Sequence, residues 1–420
     1  MLAGLALLWW VALVLLHHPA LPRSHVISVQ DTVGVAQLVF ASVAGAGALV
    51  ALVMAYRRQR VAEDAASHDR TRILNERFTA IATQLGDAQP AVRLAGVHAM
   101  AGLADDWKEN RQTCVDVLSA YLRLPYDSDP GEDAGPAERA AYRANREVRH
   151  TVIRLIGAHL RPGHVASWED LNFDFTGVVF DGGDFGGARF SGGIVRFDTA
   201  SFVSGEVSFT GAEFTGGTVS FRSAEFSGGK VSFSEAKFSG GEIYFGGEIF
   251  GPGAVFSGGE VDFADAEFSG SRVSFNTALF CGSRVSFFHA EFCGSHVRFH
   301  RSEFSGGRVS FNGTGFSGGE VRFSEARFSG SNVDFADAGF EGGNVSFNST
   351  LFSGGEVSFV GAELTGGRVS FRGNRFSGGQ VGLSAPGDWS RPPEVDFDWK
   401  HPPPGVMPSD ALLRELEPAH

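Results

Sequence analysis

Two stretches near the start of the chain carry no charge, and they dominate its first sixty residues. Val33 to Tyr56 (VGVAQLVFASVAGAGALVALVMAY) runs for 24 residues, longer than the roughly 20 needed to cross a hydrocarbon core of about 30 Å. Leu2 to Leu16 (LAGLALLWWVALVLL) is purely apolar. It makes only about 22 Å of helix, so it spans only if the segment extends to Leu21. A signal-peptide core is the competing reading of this first segment, although no Lys or Arg precedes it and no small-x-small cleavage site follows it. Past Tyr56 the pattern becomes amphipathic. Ile73, Leu74, Phe78, Ile81 and Leu85 recur at three- and four-residue steps and predict a helix ending at Gly86. The same period returns around Val92 to Leu103, Val115 to Leu122 and Val148 to Leu160, enough apolar positions for one small all-α core. Pro125 to Pro136 (PYDSDPGEDAGP) is too polar to pack and reads as an excursion between the last two helices.

From Phe175 the period changes. Phe175, Phe180, Phe185 and Phe190 stand five residues apart. The spacing then alternates seven and five through Phe209, Phe214, Phe221 and Phe226, takes a six-residue step from Phe250 to Phe256 across Gly251-Pro252-Gly253, and resumes at Phe263 and Phe268. The consensus is A-x-F-S-G-G-x-V-S-F-x-x, a twelve-residue repeat. Alternate residues of an extended segment share a face, so each Phe and the Ala, Val or Ile two residues before it point inward, and the Ser or acid between them points out. The Ser-Gly-Gly after every second Phe supplies corners able to adopt positive φ.

This pattern resembles the pentapeptide-repeat family, which implies a four-sided β-helix over about half the chain. The order of apolar spans, RQTCVDVLSAYLR, EVRHTVIRLIGAHL and FSGGxVSF is similar, more narrowly, to actinobacterial pentapeptide-repeat membrane proteins with two spans and no assigned function. Either twelve or twenty-four residues per turn fits the period. Large rings fill a wide core, and the four opening pentapeptides already make a four-faced turn, which favours twenty-four. Thirty-six centres then give nine coils, roughly 43 Å long at about 4.8 Å per layer. The six-residue step predicts a bulge near Gly251 to Ser257, with the Gly-Gly corners moving to other edges beyond it.

The expected organisation is a transmembrane hairpin at 1–56 (spans 2–21 and 33–56), a cytoplasmic α-helical connector and cap at 57–165, a β-solenoid at 171–384, and a C-terminal cap with a poorly ordered tail at 385–420. Arg57, Arg58 and Arg60 directly follow the second span, whereas the stretch between the two apolar runs carries only Arg23 among Lys and Arg, with three histidines. By the positive-inside rule everything after Arg60 is cytoplasmic, in a multi-pass protein of the plasma membrane.

Composition agrees with a repeat: 56 Gly and 39 Phe stand against 5 Tyr and 4 Met. The formal charge of −13 and the interleaving of both signs argue against a nucleic-acid surface. Cys114, Cys281 and Cys293 form no CxxC pair, so neither a disulfide framework nor an ordinary zinc site is expected. No hydrolase, phosphate-binding or dinucleotide motif occurs in a plausible context. Phe288, His289, Cys293, His296 and His300, with Arg298 and Arg301, gather thiol and imidazole within one coil, but they occupy outward slots that elsewhere hold Ser, Asn or Arg.

The expected function is a non-catalytic, membrane-anchored scaffold for an unknown protein partner. No catalytic, cofactor or metal site is expected, nor a small-molecule substrate or direct nucleic-acid binding. The alternative is mimicry of duplex DNA toward a topoisomerase, as some members of the resembled family do. It draws on Glu206, Glu213, Glu225, Glu235, Asp262, Asp265, Glu267, Asp334 and Asp337. Against it, residues 171–384 hold 23 acids and 15 bases, only mildly negative. An enzyme or metal-binding protein is a remoter alternative.

Overall fold

The computed structural model describes residues 29–126, 129–247, 251–383, 388 and 390–408. The chain forms two compact units, with the boundary between Ile73 and Leu74. In the first lies most of α1 (Val29–Leu85). Its apolar side chains are uncovered: Phe40 is 75% and Leu52 70% exposed. Among the described residues this is the one helix long and apolar enough to cross a membrane. Arg57, Arg58 and Arg60 are exposed on it, and the first apolar segment, 2–21, lies outside the described residues.

The second unit begins with the last turns of α1, where Leu74, Ile81 and Leu85 become buried. They join α2 (Pro90–Asp106), α3 (Arg111–Leu122) and α4 (Pro136–Leu160). Proline opens α2 and α4, where its missing N–H costs nothing. The periodic apolar residues converge: Val97, Leu103, Val115, Leu118, Val152 and Ile156 are fully buried. This core continues into the solenoid without a break. Glycine makes the junction possible, because a Cβ on Gly157 of α4 would lie 2.4 Å from the Asp184 carbonyl oxygen of the first coil.

Every strand pairing in the solenoid is parallel, and it fixes the coil length. Phe214 pairs with Phe190 and with Phe238, and Val219 with Val195 and with Ile243. The step is 24 residues, so a coil has four sides and carries four inward Phe. The rings stack into columns: Phe197 on Phe221 at 4.7 Å, Phe202 on Phe226 at 4.7 Å, Phe209 on Phe233 at 4.8 Å, Phe214 on Phe238 at 4.8 Å. The first and third columns also meet edge to face across the centre, as at Phe209 and Phe221, 6.2 Å apart. Phe175, Phe180, Phe185 and Phe190 form the first complete layer, and Phe263 and Phe268 sit in the third and fourth columns; all six are buried.

Two corner types alternate. In F-x-x-A corners the Ala N–H donates back to the Phe carbonyl, as from Ala200 to Phe197 at 3.1 Å. The residue before that Ala has positive φ even where it is not glycine, as at Thr199, Ser223 and Glu235. In Ser-Gly-Gly corners backbone lies on backbone: a Cβ on Gly217 would stand 2.5 Å from the Gly193 carbonyl oxygen. Where Ser replaces the second glycine it is buried. The hydroxyls of Ser283 and Ser331 donate to the carbonyls of Gly258 and Gly306 at 2.6 and 2.7 Å.

Two expectations need correction. The six-residue step moves no corner. Phe226 pairs with Phe256 and Val231 with Val261, and Gly259 stacks on Gly229 as earlier corners do. The insertion falls between Phe245 and Ala254, and the Ala254 N–H still donates to the Phe245 carbonyl at 2.6 Å. Phe250, counted as a core centre, lies outside the described residues, and its place in the second column belongs to Phe256. The segment after Trp399 is also not a loose tail as far as Pro408. Val406–Pro408 pairs with Val381–Leu383, and the Phe371 N–H donates to Glu394 at 2.8 Å. A tenth turn thus covers the last full coil, because an open end would leave strand N–H groups and aromatic rings in water.

Candidate functional site

The inward positions are spent on packing, so any recognition falls to the outward ones. On the face that precedes the first Phe column, each coil presents three outward side chains around an inward Val-x-Phe. Strand pairing aligns them in rows: Glu242, Arg272, His296, Glu320, Asn344, Arg368 in one, and Tyr244, Ser274, Arg298, Arg322, Ser346, Ser370 in the next. Asn276, His300, Ser324, Asn348 and Arg372 follow the column Phe. Over the later coils, from Asn276 and Arg298 onward, these residues line an open trough of about 700 Å³, bounded at its far end by Glu394; a depression of about 270 Å³ that shares Asn276 and Arg298 extends it back to His296, Arg272, Glu242 and Tyr244. At its near end the Arg222 guanidinium lies 4.3 Å over the Tyr244 ring.

Charges across the solenoid surface are largely matched between coils. Arg189 meets Glu213 at 2.7 Å, Arg272 meets Glu242 at 3.3 Å, Arg301 meets Glu325 at 2.8 Å, and Arg308 meets Asp334 at 3.6 Å. The acids grouped as a duplex-like track are partly absorbed this way. Asp265 faces His289 at 3.9 Å, and Asp262 accepts from Ser234 at 3.1 Å. Glu267 and Glu291 are direct neighbours on the face beside the trough. There burial, then the charges of Glu341 and Glu267, raise the Glu291 pKa.

The trough contains the opposite mismatch. Arg298 stands directly across from Arg322. Like charges in that position repel. Arg322 is held by Glu320 at 2.6 Å, but among the described residues no carboxylate pairs with Arg298. His296 is exposed beside it, while His300 contacts the Ser324 carbonyl at 3.0 Å.

The thiol and imidazole cluster read from the sequence is dispersed. Cys293 borders the acidic face, His296 and His300 belong to the trough, and His289 stacks on Phe288 at a corner, 3.9 Å between ring centroids. Cys281 and Cys293 lie in different sheets. Both are exposed, whereas Cys114 is buried and its thiol is pushed up to about 11 by desolvation. Treatment of the folded protein with Ellman's reagent near pH 8 is therefore expected to modify Cys281 and Cys293 quickly and Cys114 only on unfolding. Oxidation should form no bond between Cys281 and Cys293; an intramolecular disulfide would contradict the 24-residue coil.

A second cluster joins cap to coil. Asp181, 3% exposed, accepts hydrogen bonds from the Tyr126 and Tyr142 hydroxyls at 2.7 and 2.8 Å and from Arg146 Nε at 3.1 Å. His150 Nε2 contacts its other oxygen at 2.8 Å. Burial alone would raise the carboxyl pKa, but the bonds from His150, Tyr126 and Tyr142 outweigh it and hold Asp181 well below the carboxylate range. Arg149 is buried beside this cluster, donating to the carbonyls of Leu122 and Val179 at 2.7 and 2.9 Å, with its guanidinium 4.2 Å over the Tyr126 ring. Six titratable groups are thus committed to fixing the helical cap on the first coil.

The fold defines the class: a capped, four-sided parallel β-solenoid with regularly spaced Phe, preceded by a helical region that contains, among the described residues, one apolar helix. No protein-family model and no curated protein matches the chain. Among solved structures, trypsin-treated QnrB1, a plasmid-mediated fluoroquinolone resistance protein, is similar over 43% of this chain and 86% of its own, at 15% identity and a TM-score of 0.16. At that TM-score the likeness bears on neither architecture nor function.

Proposed function

We propose that the chain is a membrane-anchored member of the pentapeptide-repeat group and acts as a non-catalytic scaffold that binds a protein partner on the cytoplasmic face. One observation carries this reading. The solenoid holds long rows of outward side chains in fixed register on a frame whose interior is filled with Phe. Such a frame presents a large preorganised surface, and preorganisation lowers the ordering cost of binding. The anchor rests on the uncovered apolar side chains of α1 around Val39 to Tyr56, which water solvates poorly and a bilayer solvates well. Arg57, Arg58 and Arg60 orient that span with the solenoid inside. A multi-pass arrangement requires residues 2–21 to cross as well.

Two measurements test this. The full chain should stay with membranes after alkaline carbonate washing, and an impermeant maleimide should label Cys281 and Cys293 only in broken cells. A photo-reactive residue placed at outward positions of each solenoid face should give a discrete cross-linked protein from at least one of them. Release by carbonate rejects the anchor, and absence of cross-links from every face rejects the scaffold.

A further inference from the structure

We infer that the trough centred on Arg298 and Arg322 is the partner-binding surface and takes an extended polypeptide rich in Asp and Glu; this deepens the scaffold reading and rests on it. Three observations converge. First, Arg298 and Arg322 are opposed on neighbouring coils, with the exposed His296 beside Arg298, while pairs such as Arg189–Glu213 and Arg301–Glu325 show how the surface elsewhere matches sign between coils. Another opposed arginine pair, Arg284 and Arg308, differs: each has an acid on its outer side, Glu260 at 4.0 Å and Asp334 at 3.6 Å. Folding alone gives no reason to leave Arg298 without such an acid, and a bound carboxylate would relieve the repulsion through paired N–H donors.

Second, the residues around the arginines are hydrogen-bonding groups of peptide scale. Asn276, Ser274, Asn344 and Ser346 line the same trough. They can serve amide N–H and C=O groups of a chain lying along the coil axis.

Third, the distribution of charge selects a peptide over a nucleic acid. Glu242 and Glu320 stand in the row beside that of Arg298 and Arg322, and Glu394 closes the far end. A polynucleotide carries a phosphate at every residue and would have to pass all three. It would also find few large stacking platforms, since among the described lining residues Tyr244 is the one Phe, Tyr or Trp. A polypeptide can set acids against the arginines and neutral or basic residues against the glutamates.

The test uses the full chain in lipid nanodiscs and a fluorescent oligoglutamate peptide, with oligolysine and a single-stranded oligothymidine as comparators. Oligoglutamate should bind in a salt-sensitive way. The Arg298→Glu, Arg322→Glu double variant should weaken it at least about tenfold, and the Arg298→Gln, Arg322→Gln pair should do so to a smaller extent without adding opposed acids. The Arg284→Glu, Arg308→Glu pair on the opposite face should leave it unchanged. Absence of binding, equal loss with either pair of arginines, or tighter binding of oligothymidine overturns the inference. Cross-links to a protein from faces other than the trough, with no oligoglutamate binding, would overturn it while leaving the scaffold intact; no cross-link from any face removes both.

Discussion

Replacing Asp181 with Ala is expected to cost about 3 kcal/mol, the scale of removing a buried carboxylate that accepts several charge-assisted bonds. The loss should concentrate where helices meet coil. Tyr126, Tyr142, Arg146 and His150 all converge on that one side chain, and its removal leaves their polar atoms facing a small void. The helices should then melt before the solenoid, read as two transitions by far-UV circular dichroism where the parent shows one. Acid provides an independent check. The folded pKa of Asp181 lies below its unfolded value, so its stabilisation is complete above the unfolded pKa of about 4 and disappears as pH falls toward the folded one. The stability gap between parent and Asp181→Ala should therefore be constant near neutrality and shrink below about pH 4. A gap that persists unchanged into strong acid would show that the carboxylate contributes nothing as a charge.

Phe275→Ala is expected to cost about 3 to 5 kcal/mol, the usual range for deleting a buried aromatic ring. Phe275 is fully buried. It stacks between Phe245 and Phe299 at 4.7 Å each and meets Phe263 and Phe287 edge to face. Collapse cannot fill the space readily, because hydrogen bonds between coils set the spacing of the layers. Coils gain stability from immediate neighbours, so amide exchange should accelerate most in the layers of Phe245, Phe275 and Phe299 and little beside the helical cap. The same change at Phe376, which is only half-buried near the end of its column, should cost much less. Equal losses at both positions would contradict the layer-by-layer account.

How much of this was legible beforehand depended on which quantity each residue reports. Inward and outward alternation follows from the two-residue period of extended chain, so Val207, Phe209, Ala212 and Phe214 could be placed inside from spacing alone, and they are buried. The helices were legible because apolar residues at three- and four-residue steps have few other ways to be buried together. Phe250 misled because spacing alone does not say which of two nearby Phe fills a column, and the place belongs to Phe256. The flanking Gly246-Gly247 and Gly251-Pro252-Gly253 were the signal that extra residues enter the repeat there.

Asp181 was missed for a different reason. In sequence it is one more acid in an outward slot, and its partners Tyr126, Tyr142, Arg146 and His150 lie 31 to 55 residues away. Only the docking of α4 brings them together. The trough needed the coil length before it could be seen. Charges summed over residues 171–384 conceal it, whereas writing the chain in rows of 24 puts Arg298 beside Arg322.

The six-residue insertion between Phe245 and Ala254 has a practical meaning for altering this molecule. Six residues have been added at one corner, and the turn bond to the Phe245 carbonyl still forms at its usual place. Layers before and after keep their alignment. An F-x-x-A corner is therefore a port: an epitope, a fluorophore-binding loop or a protease site could be grafted there as cargo. Grafts at Ser-Gly-Gly corners should fail, because a carbonyl of the preceding layer already occupies the space.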